Sequence, residues 1–152
     1  MLLASALLVA TLFGPPSVAV GKIPPEACQL LTAADYKAFG VSAAPKNRAG
    51  SSPSQEMRSC TAGSMMKPPV LMVMIQDIKV PIAVEMGRKS LASEKGEVVT
   101  GPWDTGKVMV GTDGTQVHFF KGNVSVLLMS SATTAAARST LIAIAKRIAA
   151  AV

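Results

Sequence analysis

The sequence predicts a single α+β domain in which an antiparallel sheet of about five strands is covered by helices, in the order α-β-β-α-β-β-β-α. Three observations lead to this fold class. Apolar residues alternate along several short segments, two of which meet at the turn signal Asp113-Gly114. Apolar residues recur at helical spacing in segments near the start, in the middle and at the end of the chain. The 152 residues contain no internal repeat, which fits one domain.

The first 19 residues are predicted to be a secretory signal peptide. Residues 1–13 are apolar but too few to span a bilayer, and residues 17–19 are small, as a signal peptidase requires. A buried strand or helix is the alternative for this segment. Residues 20–27 then form a Pro-rich lead-in to a domain at 28–152. We therefore expect a periplasmic or secreted protein with no transmembrane segment after signal cleavage.

Cys28 and Cys60 are the two cysteines of the chain. An even cysteine count in an exported protein indicates a disulfide, although two buried thiols are the alternative. Closing this loop should stabilise the fold by about 3–4 kcal/mol in the chain-entropy model. The pair is not a C-x-x-C motif, so a redox role has little support. Glu26 does not belong in a lipobox, so we expect no lipid anchor at Cys28.

The first helix is marked at both ends. Thr32 is a natural N-cap, Asp35 occupies the capping-box position, and Gly40 suits the C-terminal end. The Pro, Gly and Ser content of 41–56 predicts a loop, and a strand carrying Cys60 follows at 57–62.

The middle of the chain predicts a strand and a second helix. Both side-chain rows of residues 70–77 are apolar, which predicts a central strand covered on both sides. Residues 81–95 begin with Pro81 and are followed by Gly96, as helices often are. The apolar stripe of this helix comprises Ala83, Val84, Gly87 and Leu91. A short strand is expected at 97–100.

The late half of the sequence predicts strands at 107–111, 115–121 and 124–130. A two-residue turn at Gly122-Asn123 makes Lys121 face Val124. The core row of this hairpin then comprises Val117, Phe119, Val126 and Leu128. The opposite row comprises His118, Phe120, Leu127 and Met129, and we expect another element or a ligand to cover it.

The chain ends in a predicted helix at 134–152. Its apolar residues recur at helical spacing: Ala137, Leu141, Ile144, Ala145 and Ile148. Lys146 and Arg147 are expected to complement the negative end of the helix dipole.

The C-x-L-L-T string at residues 28–32, the helix ending at Gly40 and a second Cys60 on the first strand resemble a group of bacterial exported proteins and lipoproteins of unknown function. In that group a helix is tied by a disulfide to a strand. The group is similar in fold to the PsbP-type extrinsic photosystem proteins, so the resemblance implies a PsbP-like sandwich of helices around an antiparallel sheet. It implies no particular chemistry.

The formal net charge of +6 suits an anionic partner, although a solvated basic surface is the alternative. The cations are scattered and accompany neither aromatics nor a known motif, so nucleic-acid binding is not expected. We expect a monomer that binds a protein or a small molecule.

His118 is the single histidine, and no G-x-S-x-G sequence accompanies it. A half-buried sheet residue is the simple interpretation, and a small hydrolase that depends on His118 is the alternative. We expect no enzyme and no cofactor. The leading hypothesis is a non-catalytic exported binding module, with Trp103, His118, Phe120 and Met129 as candidate ligand-binding residues. The alternative for Trp103 is a structural role in which its side chain closes the end of the core.

Met72 and Met74 are candidate metal ligands. They project from one face of a strand, about 7 Å apart along it. Thioethers bind Cu(I), so a periplasmic Cu(I)-binding protein is an alternative function. The simpler interpretation is that these methionines fill the core.

Overall fold

A computed structural model describes residues 23–152. The predicted signal peptide at residues 1–19 and the first part of the lead-in lie outside this range. Within the range, no helix has both the length and the apolar character needed to cross a membrane.

The domain is α+β, with three α-helices and a seven-stranded sheet in the described part of the chain. The helices are α1 (Ala33–Ala38), α2 (Pro81–Ser93) and α3 (Ala135–Ala151), and a short 3-10 helix at Ala27–Leu30 precedes α1. The strands are β1 (Lys46–Ser51), β2 (Gln55–Ser64), β3 (Lys67–Ile78), β4 (Glu97–Val98), β5 (Thr105–Gly111), β6 (Gly114–Lys121) and β7 (Val124–Ser130).

All neighbouring strands pair antiparallel, in the order β1-β2-β3-β7-β6-β5-β4. The sheet has two differently covered faces. On the first, which we call the helix face, the 3-10 helix, α1 and α3 close the main core over residues such as Val73, Phe119 and Leu128. On the second face, α2 forms a smaller cluster with Phe120.

The expectation of about five strands is too low by two. β4 lies within the short strand expected at 97–100, and β1 lies inside the segment predicted to be a loop. β1 is an edge strand whose residues are mostly exposed, so it carries no apolar alternation. It exists because its backbone pairs with β2, from Lys46 opposite Thr61 to Ser51 opposite Glu56. That pairing partner is not visible in the local sequence.

The first helix forms as the capping residues predict. The Thr32 hydroxyl accepts a hydrogen bond from the Asp35 backbone N–H, and the Asp35 carboxylate accepts one from the Thr32 N–H at 2.6 Å. Gly40 follows with a φ of 67°. The Cys28–Cys60 disulfide is present and joins the 3-10 helix to β2, as expected.

Arg147 has a different role from the one predicted. Because α3 continues to Ala151, neither Lys146 nor Arg147 lies in its last turn. Arg147 instead contacts the buried Asp35 carboxylate at 2.5 Å and joins α3 to α1. Lys121 of β6 donates to the carbonyls of Ala149 and Val152 at the helix end, at 2.7 and 2.6 Å.

The hairpin register is confirmed: Lys121 lies opposite Val124, Phe119 opposite Val126 and Val117 opposite Leu128. The expectation of a central strand is also confirmed, because β3 lies between β2 and β7. Its predicted coverage on both sides is wrong. One row of β3 is buried in the main core, whereas Met72 and Met74 in the other row are partly exposed.

Three contacts hold α2 at the β5–β6 side of the second face. The buried Lys107 ammonium donates to the Ala92 and Glu94 carbonyls at the C-terminal end of α2, at 2.8 and 2.5 Å. The Phe120 ring fills the space beside Gly87, where an added Cβ would come within 2.7 Å of the ring. Arg88 forms an ion pair with Asp104 at 2.6 Å.

Lys107→Met should lower the free energy of unfolding by about 1–3 kcal/mol, because it removes charge-assisted hydrogen bonds to the C-terminal end of α2. Urea unfolding followed by circular dichroism measures the change. Lys95→Met, at an exposed position just beyond the helix, is the control. Equal effects of the two substitutions would show that Lys107 does not anchor α2.

Candidate ligand-binding face

The sheet register brings the methionines and His118 onto one surface. Residues directly opposite each other in antiparallel strands share a face. One row of the second face runs through Lys46, Thr61, Met72, Met129 and Gln116. The adjacent row runs through Arg48, Ser59, Met74, Leu127 and His118. The sequence predicted Met72 with Met74, and His118 with Met129, but not that the two pairs adjoin.

This surface is apolar and only partly covered. Helix α2 buries the Phe120 end, while the apolar side chains toward β2 remain partly exposed. We use the term open face for the part formed by Met72, Met74, Leu127 and Met129. Thioether and aliphatic side chains in this arrangement offer a ligand van der Waals contact but no charge.

His118 lies at the border between the open face and α2. Its Nε2 is 3.0 Å from the Ser125 hydroxyl oxygen, and its ring is 5.4 Å from the Phe120 ring. Burial lowers the pKa of His118 below its ordinary value of 6.5, while the nearby Glu94 carboxylate opposes the shift. Burial therefore favours the neutral form of the ring.

The His118–Ser125 pair has the spacing of a base and a nucleophile but not the surroundings of one. Ser125 is buried on β7, whose backbone pairs with β3 on one side and β6 on the other. An oxyanion hole needs unpaired N–H donors beside the nucleophile. No carboxylate within the described residues hydrogen-bonds the other ring nitrogen. The contact satisfies two polar groups in a largely buried site.

Two candidate residues from the sequence are not accessible on this surface. Trp103 stacks on Phe119 at 4.7 Å, and its Nε1 donates to the Val99 carbonyl at 2.9 Å, so it closes one end of the main core. Phe120 is buried beneath Val84 and Leu91. The accessible candidates that the structure brings together are therefore Met72, Met74, Met129 and His118.

A basic cavity lies beside the open face, and sequence reasoning missed it. It has a volume of about 720 Å³ and includes Lys46, Arg48 and Lys67, together with the hydroxyls of Ser59 and Thr61. The only sequence signal was a pair of cations two residues apart, in a segment predicted to be a loop.

A second cavity, of about 470 Å³, lies at the N-terminal end of α2. It is bounded by Ile78, Pro81, Val84 and Arg88. The guanidinium of Arg88 is paired with Asp104, and its Nε is buried without a hydrogen-bond partner among the described residues. This charge serves to anchor α2, so the cavity offers a ligand mainly apolar walls.

Across residues 23–152, no three side chains of His, Cys, Asp or Glu are grouped to hold a metal ion. The soft sulfur donors in this range are the methionine thioethers, because Cys28 and Cys60 form the disulfide. Met72 lies directly opposite Met129, and Met74 is the next residue of β3 on the same face.

Comparison with known proteins identifies no relative. No family, no curated protein and no solved structure matches the chain.

His118 should titrate with a midpoint below 6.5, because burial disfavours the imidazolium. Because the unfolded chain binds this proton more readily, the free energy of unfolding is highest above pH 6.5. It decreases as the pH falls through the lower pKa of the folded state. Ring NMR signals against pH measure the midpoint without ambiguity, since the chain has one histidine. Glu94→Gln should lower the midpoint further. A midpoint at or above 6.5 would contradict the buried environment.

Proposed function

We propose that the protein is an exported, non-catalytic binding module that holds an apolar or amphipathic small molecule on its open face. The observation that carries this proposal is the off-centre position of α2. It leaves Met72, Met74, Leu127 and Met129 partly exposed as one apolar surface in the middle of the sheet.

The physical argument rests on the contrast between the two faces. The helix face is closed, so any ligand surface of the sheet lies on the second face. An apolar patch in the middle of a sheet tends to mark an interaction site, since it lowers its free energy when covered. Flexible methionine side chains adapt their shape to a ligand, while the paired strands beneath them stay rigid.

Export is the second part of the proposal. The Cys28–Cys60 disulfide supports it, because such bonds persist in oxidising compartments, as does the signal-like composition of residues 1–19. The proposed kinship with PsbP-like exported proteins rests on the C-x-L-L-T sequence. This resemblance implies no particular activity. We also propose that the protein acts as a monomer.

A neutral apolar dye, N-phenyl-1-naphthylamine, should bind the oxidised protein saturably. The double variant Met74→Gln/Leu127→Gln should weaken binding by about fivefold, because polar amides replace apolar contact area. Dye fluorescence titration measures the dissociation constant.

The matched control is Ile82→Gln/Met86→Gln, which makes the same kind of change on the exposed side of α2. This variant should bind the dye like the unmodified protein. Equal weakening in both variants, or no saturable binding at all, would refute the open face as a binding surface.

Cu(I) binding is a second candidate function, favoured by the strand register. Directly opposite residues in a sheet have Cβ atoms about 4.5–5.5 Å apart, so Met72 and Met129 are close neighbours. Met74 lies about 7 Å from Met72 along β3. Three flexible thioethers at these positions can converge on one soft metal ion.

For this candidate, the protein should take up one Cu(I) in competition with bicinchoninate. Met129→Leu, or Met72→Leu with Met74→Leu, should abolish the uptake with little change in stability, because leucine keeps the volume but removes the sulfur donor. Absorbance of the bicinchoninate complex measures the uptake. Met86→Leu is the control, and uptake that survives every open-face substitution would exclude these ligands.

A further inference from the structure

The basic cavity gathers cations from two strands that are not neighbours. Lys46 and Arg48 come from the edge strand β1, and Lys67 comes from the start of β3. Between them β2 contributes the hydroxyls of Ser59 and Thr61. Hydroxyl and cationic donors around one cavity are suited to an anion with several oxygen atoms.

The charge of this cavity is not neutralised by the protein. No Asp or Glu lines it. The ion pairs within residues 23–152 use other cations, and each of these pairs lies elsewhere: Glu56 with Arg58 and Lys79, Arg88 with Asp104, Glu85 with Lys89, Glu97 with Arg138, and Asp35 with Arg147. Lys46, Arg48 and Lys67 therefore remain available to a ligand.

Protection of the sheet edge explains only part of this arrangement. Cations on an edge strand discourage pairing with other chains, and Lys46 and Arg48 lie on such a strand. Lys67 lies at the start of β3, opposite Ser64 of β2, and so is not part of the edge strand β1. Edge protection does not require a third cation or hydroxyl donors in the same cavity, whereas an anion site does.

The cavity and the open face are continuous. Met72 lines the cavity and is also part of the open face. Lys46, Thr61 and Met72 are successive members of one cross-strand row, so the charge on β1 lies about 10 Å, or two strand spacings, from the methionines of β3. A single molecule can reach both.

We propose that the basic cavity binds the anionic head group of a single-chain amphiphile whose apolar chain lies along the open face. A phosphate monoester fits best, because its charge near −2 and its three terminal oxygens match three cations and two hydroxyls. This inference rests on the proposed function of the open face and names the ligand class for it.

Displacement of N-phenyl-1-naphthylamine by three probes tests the proposal. The probes are dodecyl phosphate, dodecanol and inorganic phosphate, all below the concentration at which dodecyl phosphate forms micelles. Dodecyl phosphate should displace the dye at a lower concentration than dodecanol, and added NaCl should reduce its advantage.

The triple variant Lys46→Gln/Arg48→Gln/Lys67→Gln should weaken dodecyl phosphate binding by about tenfold, because each exposed ion pair contributes modestly, and should leave dodecanol binding unchanged. The matched control Lys89→Gln/Lys95→Gln/Lys146→Gln removes the same charge from other surfaces. Lys67→Gln alone leaves the edge strand intact. It serves as the test if the triple variant does not fold.

The outcomes separate the two proposals. Equal binding of dodecyl phosphate and dodecanol, or an equal effect of the control variant, would overturn the anion site and leave the open face as a binding surface. If calorimetry showed that inorganic phosphate binds as tightly as dodecyl phosphate, the apolar chain would contribute nothing, and the proposal of an amphiphilic ligand would be wrong. If an oligoglutamate peptide displaced the dye and dodecyl phosphate did not, the amphiphilic ligand would also be excluded. The basic cavity would then bind an acidic peptide. Failure of all apolar probes to bind would refute the proposed function itself.

Discussion

The contact between the buried Lys107 ammonium and the last carbonyls of α2 is the constraint on which the exposed surface depends. A buried ammonium requires hydrogen-bond acceptors, and the C-terminal end of α2 supplies two. The Phe120 ring beside Gly87 then determines how closely this helix approaches the sheet. With α2 held over β5 and β6 and against Ile78 at the end of β3, this helix leaves the middle of β3 and β7 uncovered. The open face is therefore a consequence of where α2 is anchored.

The two faces of the sheet have different roles: the helix face stabilises the fold, and the second face carries the proposed binding surface. On the helix face, the disulfide, the Arg147–Asp35 ion pair and the contacts from Lys121 to α3 hold the helices over a continuous core. Stability comes mainly from this side, because it buries most of the large apolar side chains. The second face can then leave methionines accessible without exposing the core. Strand β3 joins the two functions, since its alternate residues belong to the main core and to the open face.

The edge strand β1 also has two roles. The cations of β1 protect an unpaired edge and also contribute charge to the cavity beside the open face. An apolar surface next to uncompensated positive charge is complementary to a molecule with an apolar chain and an anionic end. The net charge of +6 did not locate this site, because it counts all cations alike. Only the pairing of acids with other cations shows which positive charges remain.

The sequence by itself determined those features that depend on neighbours along the chain. The cap of α1 at Thr32, the hairpin register around Lys121 and Val124, and the α+β class all follow from local turn chemistry and side-chain period. Tertiary structure alone decided that residues 46–51 form a strand, that Met129 lies beside Met72, that Arg147 pairs with Asp35, and that Lys67 joins Lys46 and Arg48 at one cavity. These outcomes depend on which distant segments pair, and the free energy of that pairing comes from long-range burial and backbone hydrogen bonds that no local pattern encodes.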